Sequence, residues 1–266
     1  MELHDGSSTK AHLAALGASA PNGLIGVDEA SAALGTPRTE AAARLARLAK
    51  SGWLARVRRG LYYILPIEAA TKGQTTYPDP WVLASRAYDP CYVGGWSAAE
   101  HWGLTEQLFR STFVATAAVL RSRQQRLLGL EFRLANVRRE RLAGVAFVWR
   151  GSARVAVSGA ERTLVDAFRD PTWLGGMRHT TECLRRYFEG DRAARVATLI
   201  EEMTRSGNGA AAKRLGFILE QDGTPSELLD PLSRMATKGL IALDPSVARG
   251  GRIVRRWGIV VNADLV

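Results

Sequence analysis

Hydrophobic spacing changes twice along the chain. Apolar positions first recur at helical intervals, then follow strand spacing between Ser111 and Ser158, then return to helical intervals. The most ordered stretch is Val27 to Pro66. Val27 to Leu34 has the pattern of a short helix, with Asp28 and Glu29 at its positive end. Gly35-Thr36-Pro37 interrupts it, with Gly at the stop and Pro at the next start. The helix that follows, Pro37 to about Ser51, aligns Ala41, Leu45, Leu48 and Ala49 on one stripe and Glu40, Ala43, Arg44, Arg47 and Lys50 on the other face. Gly52 ends it. Trp53 to Val57 and Leu61 to Leu65 then read as two strands joined by the tight turn Arg58-Arg59-Gly60. Helix, three-residue turn, helix and β-ribbon is the order of a winged helix-turn-helix.

Upstream, Lys10 to Gly17 reads as one short helix and Ala18 to Gly26 as a loop. Downstream, residues 68–80 are polar, carry two prolines and have no apolar period, as a linker would. A helix is expected from Pro80 to Ala87, and another at Ser97 to Trp102 with Ser97 and Glu100 at capping-box spacing. Four strands follow between Ser111 and Ser158, connected as a meander, with Gly151-Ser152 as one hairpin turn. Ser158 and Glu161 again have capping-box spacing, ahead of a helix that buries Leu164, Val165 and Phe168. Helices reaching Phe188, starting at Asp191 and covering residues 210–223 come next, and short strands at residues 239–244 and 255–262 close the chain. The fold class is therefore α+β. A winged helix-turn-helix (1–67) and a linker (68–80) precede a mixed α/β domain (81–266) with a mainly antiparallel sheet and a C-terminal helical bundle.

Charge gives the first module a role. From Thr36 to Gly60 there are seven Lys and Arg against one acid, Glu40. An α-helix fits the major groove with its N-terminal residues at base edges, and phosphate neutralisation supplies much of the affinity. The expected DNA-binding residues are Thr36, Arg38, Thr39, Arg44 and Arg47 on the reading helix, and Arg56, Arg58 and Arg59 on the wing. A charge run on a solvated helical hairpin is the plainer reading of the same residues. The whole chain, 266 residues with net charge +10 and pI near 10.2, likewise points to a polyanionic partner. Two further basic stretches, residues 121–129 and 138–144, read as solvated loops, a second nucleic-acid contact, or a surface for an acidic protein. No signal core and no run of 18 apolar residues is present, so the expected location is cytoplasmic, without membrane contact.

Candidate chemistry is sparse. Cys91 and Cys183 have neither zinc-ligand nor CxxC spacing, and the four histidines are scattered, so no metal or other cofactor is expected. P-loop, GxSxG, HExxH and kinase glycine-loop patterns are missing. A nuclease sheet would need paired acids and a lysine, where this one offers Glu131-Phe132-Arg133. No catalytic residue is assigned, and a phosphotransfer to a partner protein is left open.

Two stretches carry a family resemblance. One is KSGWLARVRRGLYYIL, with Gly52, Arg56, Arg59, Gly60 and Tyr62 in a basic-wing pattern; the other is SGAERTLVDAFRDPTWLGG at Ser158 to Gly176, followed by KRLGFILE at Lys213 to Glu220. GGWSAAEHWGL, Gly94 to Leu104, fits between them. In these the chain resembles the AbiEi-type antitoxins of bacterial toxin–antitoxin pairs. The resemblance implies a protein that binds inverted repeats in its own promoter, as a monomer free in solution or a dimer on DNA. It implies repression of its own operon and a second domain that counteracts a nucleotidyltransferase-like toxin. Arg162, Thr163 and Asp166 lie in the shared motif, and an Arg162–Asp166 pair on one helix explains two of them. The alternative is a stand-alone winged-helix transcription factor whose second domain senses a small ligand.

Overall fold

Three helices and three strands make up the N-terminal module of the computed structural model, which describes residues 3–20, 22–66, 77–248 and 250–265. Helix α1 spans Leu3–Ser19, strand β1 Leu24–Gly26, α2 Val27–Leu34, α3 Arg38–Lys50, β2 Leu54–Arg58 and β3 Leu61–Ile64. The sheet order is β1-β3-β2, antiparallel throughout. Leu16, Ile25, Ala30, Ala41 and Leu45 are fully buried at the centre of this module. Each large side chain there contributes about 1.5–3 kcal/mol relative to exposure. Gly35, at φ +60°, occupies the left-handed position that ends α2, and the N–H groups of Gly35 and Thr36 donate to the carbonyls of Ala32 and Ser31.

Two details differ from the sequence reading. Helix α1 begins seven residues before the expected Lys10–Gly17 and ends two residues after it. Strand β1 lies inside the stretch read as a loop: with three residues it is too short to show a period, and it gains its ladder only by pairing Leu24, Ile25 and Gly26 with Tyr63, Tyr62 and Leu61. The expected linker at residues 68–80 falls largely on residues 67–76, outside those described.

Helix α4 (Pro80–Ala87) begins at Asp79, whose Oδ1 accepts from the Trp81 and Val82 N–H groups at 2.8 and 3.0 Å. Beyond it come β4 (Cys91–Val93), α5 (Gly95–His101), β5 (Ser111–Thr116), β6 (Gln124–Leu127), β7 (Leu130–Asn136), β8 (Ala146–Arg150) and β9 (Ala153–Val157). These strands hydrogen-bond in the order β6-β7-β5-β4-β9-β8, with β4 parallel to β9. The expected four-stranded meander is thus a six-stranded mixed sheet. Three-residue β4 carried no alternation, and β6 is polar enough to look like a connection. The Gly151-Ser152 turn between β8 and β9 is present.

The chain forms two compact units that do not follow chain order. One comprises Met1–Tyr92, Val114–Leu142 and Phe147–Ala156, and the other Val93–Phe113, Ala143–Ala146 and Val157–Val266. The second contains helices α6 (Ala160–Arg169), α7 (Met177–Tyr187), α8 (Arg192–Ser206), α9 (Gly209–Gln221) and α10 (Ser226–Met235). A small sheet β10-β12-β11 (Ile241–Ala242, Ile259–Val261, Arg252–Val254) completes it. Neither capping box forms. Ser97 Oγ instead accepts from the Phe113 N–H at 2.9 Å, and Ser158 Oγ bonds Thr163 Oγ1 at 2.7 Å. Asp191 does cap α8, accepting from Ala194 N–H.

Two buried polar clusters of the second unit are well bonded, although Asp222 Oδ2 and Thr224 Oγ1 are buried there without a hydrogen-bond partner among the described residues. Arg162 Nε donates to both oxygens of buried Asp166 at 3.2 Å, as expected from their spacing, and Glu202 lies 3.7 Å from the same guanidinium. Arg214, nearly fully buried, donates to the carbonyls of Phe168, Arg169, Ala242 and Leu243. Gly216 leaves room for the buried Trp257 indole, whose ring atoms would meet an added Cβ at 2.2–2.8 Å.

Candidate nucleic-acid interface

Helix α3 turns its apolar stripe, Ala41, Leu45 and Leu48, into the core, and that fixes what faces outward. Thr39, Ala43, Ala46 and Lys50 fall at i, i+4, i+7 and i+11, all exposed, with Arg38 and Arg47 flanking them. Two alanines in mid-stripe leave the helix backbone close to whatever it approaches. The sequence reading noted Ala43 but passed over Ala46, because alanine carries no chemical signal of its own.

The expected reading-helix residues do not all point the same way. Thr36 turns inward: its Oγ1 is buried without a hydrogen-bond partner among the described residues, and its carbonyl accepts from Ser31 Oγ at 2.6 Å. Arg38 is exposed and paired with exposed Asp28 of α2. Arg44, only 21% exposed, is held by Glu40 at 2.8 Å and by a short contact to His12 of α1. Arg47 and Lys50 have no carboxylate within 4 Å among the described residues. Thr9, His12, Arg44, Arg47, Leu48, Lys50 and Ser51 line an open concavity of about 470 Å³ beside the end of α3. Burial and the two arginines hold the His12 pKa below the usual imidazole value.

The wing brings the other three arginines together. Arg56, Arg58 and Arg59 are all exposed, and a register shift between Arg56 and Arg58 bends β2 ahead of the turn. Gly60, at φ +80°, closes that turn, and its carbonyl accepts from the Val27 N–H at 3.2 Å. The wing tip is thereby bonded to the start of α2. Arg58 Nη2 also reaches the Arg86 carbonyl of α4 at 3.4 Å, and the Arg86 side chain pairs with Glu29 of α2. Glu29 in turn accepts from Gly26 N–H at 2.7 Å. The sequence marked Glu29 only as an acid at the start of a helix and did not mark Arg86, since their 57-residue separation hides the pairing.

The result is a cationic helix and a cationic wing on one module, with small side chains at mid-helix. Such an arrangement neutralises phosphates from two elements while presenting one helix to a groove. Among the described residues no group of three or more His, Cys, Asp or Glu is placed to hold a metal, and no helix is long and apolar enough to cross a membrane. Cys183 is fully buried and Cys91 half-buried; burial pushes both thiols up to about 12, which makes them poor nucleophiles.

Comparison with known proteins bears on this module and on the fold. No curated protein sequence matches the chain. The crystal structure of the RV2827C protein from Mycobacterium tuberculosis superposes with a TM-score of 0.59 at 16% identity, over 95% of this chain and 90% of that one, a likeness of fold. The family resemblance read in the sequence is borne out where the reading helix and wing lie: residues 18–64 match the model of the family described as transcriptional regulator, AbiEi antitoxin.

Proposed function

We propose that this chain is a DNA-binding regulator of the antitoxin type. It reads its own promoter through α3 and the wing, represses its operon, and counteracts a nucleotidyltransferase-like toxin without catalysis of its own. The observation that carries the reading is the joint presentation of exposed Arg47 and Lys50 on α3 and of Arg56, Arg58 and Arg59 on the wing, within the segment that matches the AbiEi regulators. Arg38 and Thr39 meet base edges at the N-terminal end of α3, and the wing arginines hold the phosphate backbone. Thr36 shapes the turn with its backbone, while Arg44 acts from the flank of the helix.

A promoter fusion tests the regulatory half. The chain supplied in trans should repress a reporter driven by its own upstream region, and replacing Arg56, Arg58 and Arg59 with alanine should release it. The antitoxin half is tested by co-expression with the product of the neighbouring reading frame, which this reading expects to be a nucleotidyltransferase-like toxin whose growth arrest the chain relieves. Repression unaffected by the wing substitutions would overturn the assignment of this face.

A further inference from the structure

Positive charge is concentrated in one compact unit. The unit that contains the winged module holds 19 Lys and Arg against 10 Asp and Glu, whereas the other holds 17 against 16. Nine of those 19 are arginines on Val114–Leu142 and Phe147–Ala156, outside the winged module, against only Glu131 and Glu140. The excess there exceeds what the reading helix and wing require.

Topology collects much of it at one place. Strands β6 and β7 are antiparallel, with Gln124 opposite Arg133 and Arg126 opposite Glu131, so the start of β6 lies beside the end of β7. Main-chain and side-chain bonds fasten that end: Leu134 N–H donates to the Arg123 carbonyl at 2.7 Å, Val137 N–H to Thr116 at 2.9 Å, and Asn136 Nδ2 to Ala118 at 3.0 Å. Arg121 and Arg123 enter the ribbon there, and Arg138 and Arg139 leave it. All four are exposed, Arg133 opposite Gln124 is half-buried, and none of the five has a carboxylate within 4 Å among the described residues. Like charges are gathered there with no ion pair among the described residues and with Glu140, next to Arg139, as the nearest acid in sequence, which favours a multivalent anion as partner.

The neighbouring chemistry selects among anions. Ser122, Gln124 and Gln125 interleave with the arginines and offer the hydrogen-bonding groups that meet phosphate and sugar oxygens. A protein interface needs an apolar or aromatic centre. Here Val119 is the lone large apolar side chain exposed on the ribbon and its approaches among the described residues, and the exposed aromatics Phe147 and Trp149 stand on β8. We propose that this end of the β6–β7 ribbon is a second, sequence-independent contact for a phosphodiester backbone, separate from the reading helix and wing. DNA flanking an operator and a structured RNA present the same chemistry.

The test starts from protein whose wing is disabled by Arg56→Ala, Arg58→Ala and Arg59→Ala, with anisotropy of labelled scrambled duplex DNA and of an RNA hairpin read over a salt series. Residual salt-dependent binding is expected, and it shows whether DNA or RNA is preferred. Adding Arg121→Ala, Arg123→Ala, Arg138→Ala and Arg139→Ala should lower the slope of log K against log salt by about 3 to 4, since each lost phosphate contact removes about 0.9. The affinity should fall roughly tenfold or more near physiological salt. Val119→Glu removes no hydrogen bond, places a negative charge beside the cluster, and should weaken the same binding in protein that melts normally. Unchanged slope and affinity in both variants would overturn the proposal. So would loss of polyglutamate binding with nucleic-acid binding intact, which would assign the surface to an acidic protein. The proposal does not depend on operator reading, because both proteins compared carry the wing substitutions and the same α3, and the duplex is scrambled.

Discussion

Glu29 and Arg86, on α2 and α4, form an ion pair that joins the helix-turn-helix to the helix following it, while the Arg86 carbonyl accepts from wing residue Arg58. Arg86 thus bonds both the wing and the start of α2, although it lies on neither the wing nor α3. The hydrogen bond from Arg86, opposed by burial and aided by the Gly26 N–H, holds the Glu29 carboxyl below its ordinary pKa. A carboxyl depressed on folding stabilises the native state above its unfolded pKa and ceases to do so as pH falls through the folded value. Both side chains are more than a third exposed, so solvent screening limits the pair to about 0.5–1 kcal/mol. Glu29→Gln should therefore lower stability by that amount at pH 7 and match the parent well below pH 4. Urea titrations at the two pH values measure this. An equal deficit at both would show that the pair is not the cause.

Arg86→Ala gives the functional counterpart. The substitution leaves the proposed phosphate-contacting arginines of the wing in place but removes the bonds that Arg86 makes to Arg58 and Glu29. Operator affinity should fall while the salt slope stays that of the parent, because the slope counts phosphates neutralised. A reduced slope would make Arg86 a phosphate ligand instead.

His12 supplies a second pH response with its own signature. Burial, Arg44 and Arg47 favour its neutral form in the folded chain. As pH falls through the unfolded imidazole value near 6.5, the unfolded state takes up the proton first, so stability declines from there downward. His12→Gln should remove this decline between about pH 7 and 5. Melting temperatures across that range decide the matter, and parallel curves for parent and variant would contradict the assignment.

Gly216 tests the packing of the second unit. A methyl group there would press into the buried Trp257 ring, and the indole is further fixed by its bond to Glu220 at 2.8 Å. Gly216→Ala should cost about 1–3 kcal/mol despite the better helix propensity of alanine. Stabilisation on urea unfolding would mean that the indole moves aside freely.

What was legible in the sequence depended on local signals. Gly35, Pro37 and Gly52 punctuate the reading unit, and the stripe of Ala41, Leu45 and Leu48 fixes which face is outward, so α2, α3 and the β2–β3 wing were evident. Elements that owe their existence to distant partners were not. Leu24–Gly26 becomes a strand by pairing with β3, and Cys91–Val93 by lying in a larger sheet. Gln124–Leu127 is polar because it is a ribbon edge, and so read as a loop. At the candidate site, net charge and helical spacing singled out Arg47 and the wing arginines, all of which are exposed. They gave no warning that Thr36 turns its hydroxyl inward, that Arg44 is tied to His12, or that Arg86 braces the module. Those depend on tertiary contacts across tens of residues.

The central claim is that α3 and the wing form one operator-reading face. Its most direct test is binding of the purified chain to its own upstream DNA and to a scrambled duplex at two salt concentrations, alongside the variant with Arg56, Arg58 and Arg59 changed to alanine. The parent should hold its own DNA selectively near physiological salt, and the triple variant should lose affinity for both duplexes, with the salt slope lowered by about 2 to 3. Equal, salt-labile binding of the parent to both duplexes, or a variant that binds its own DNA like the parent, would contradict the claim.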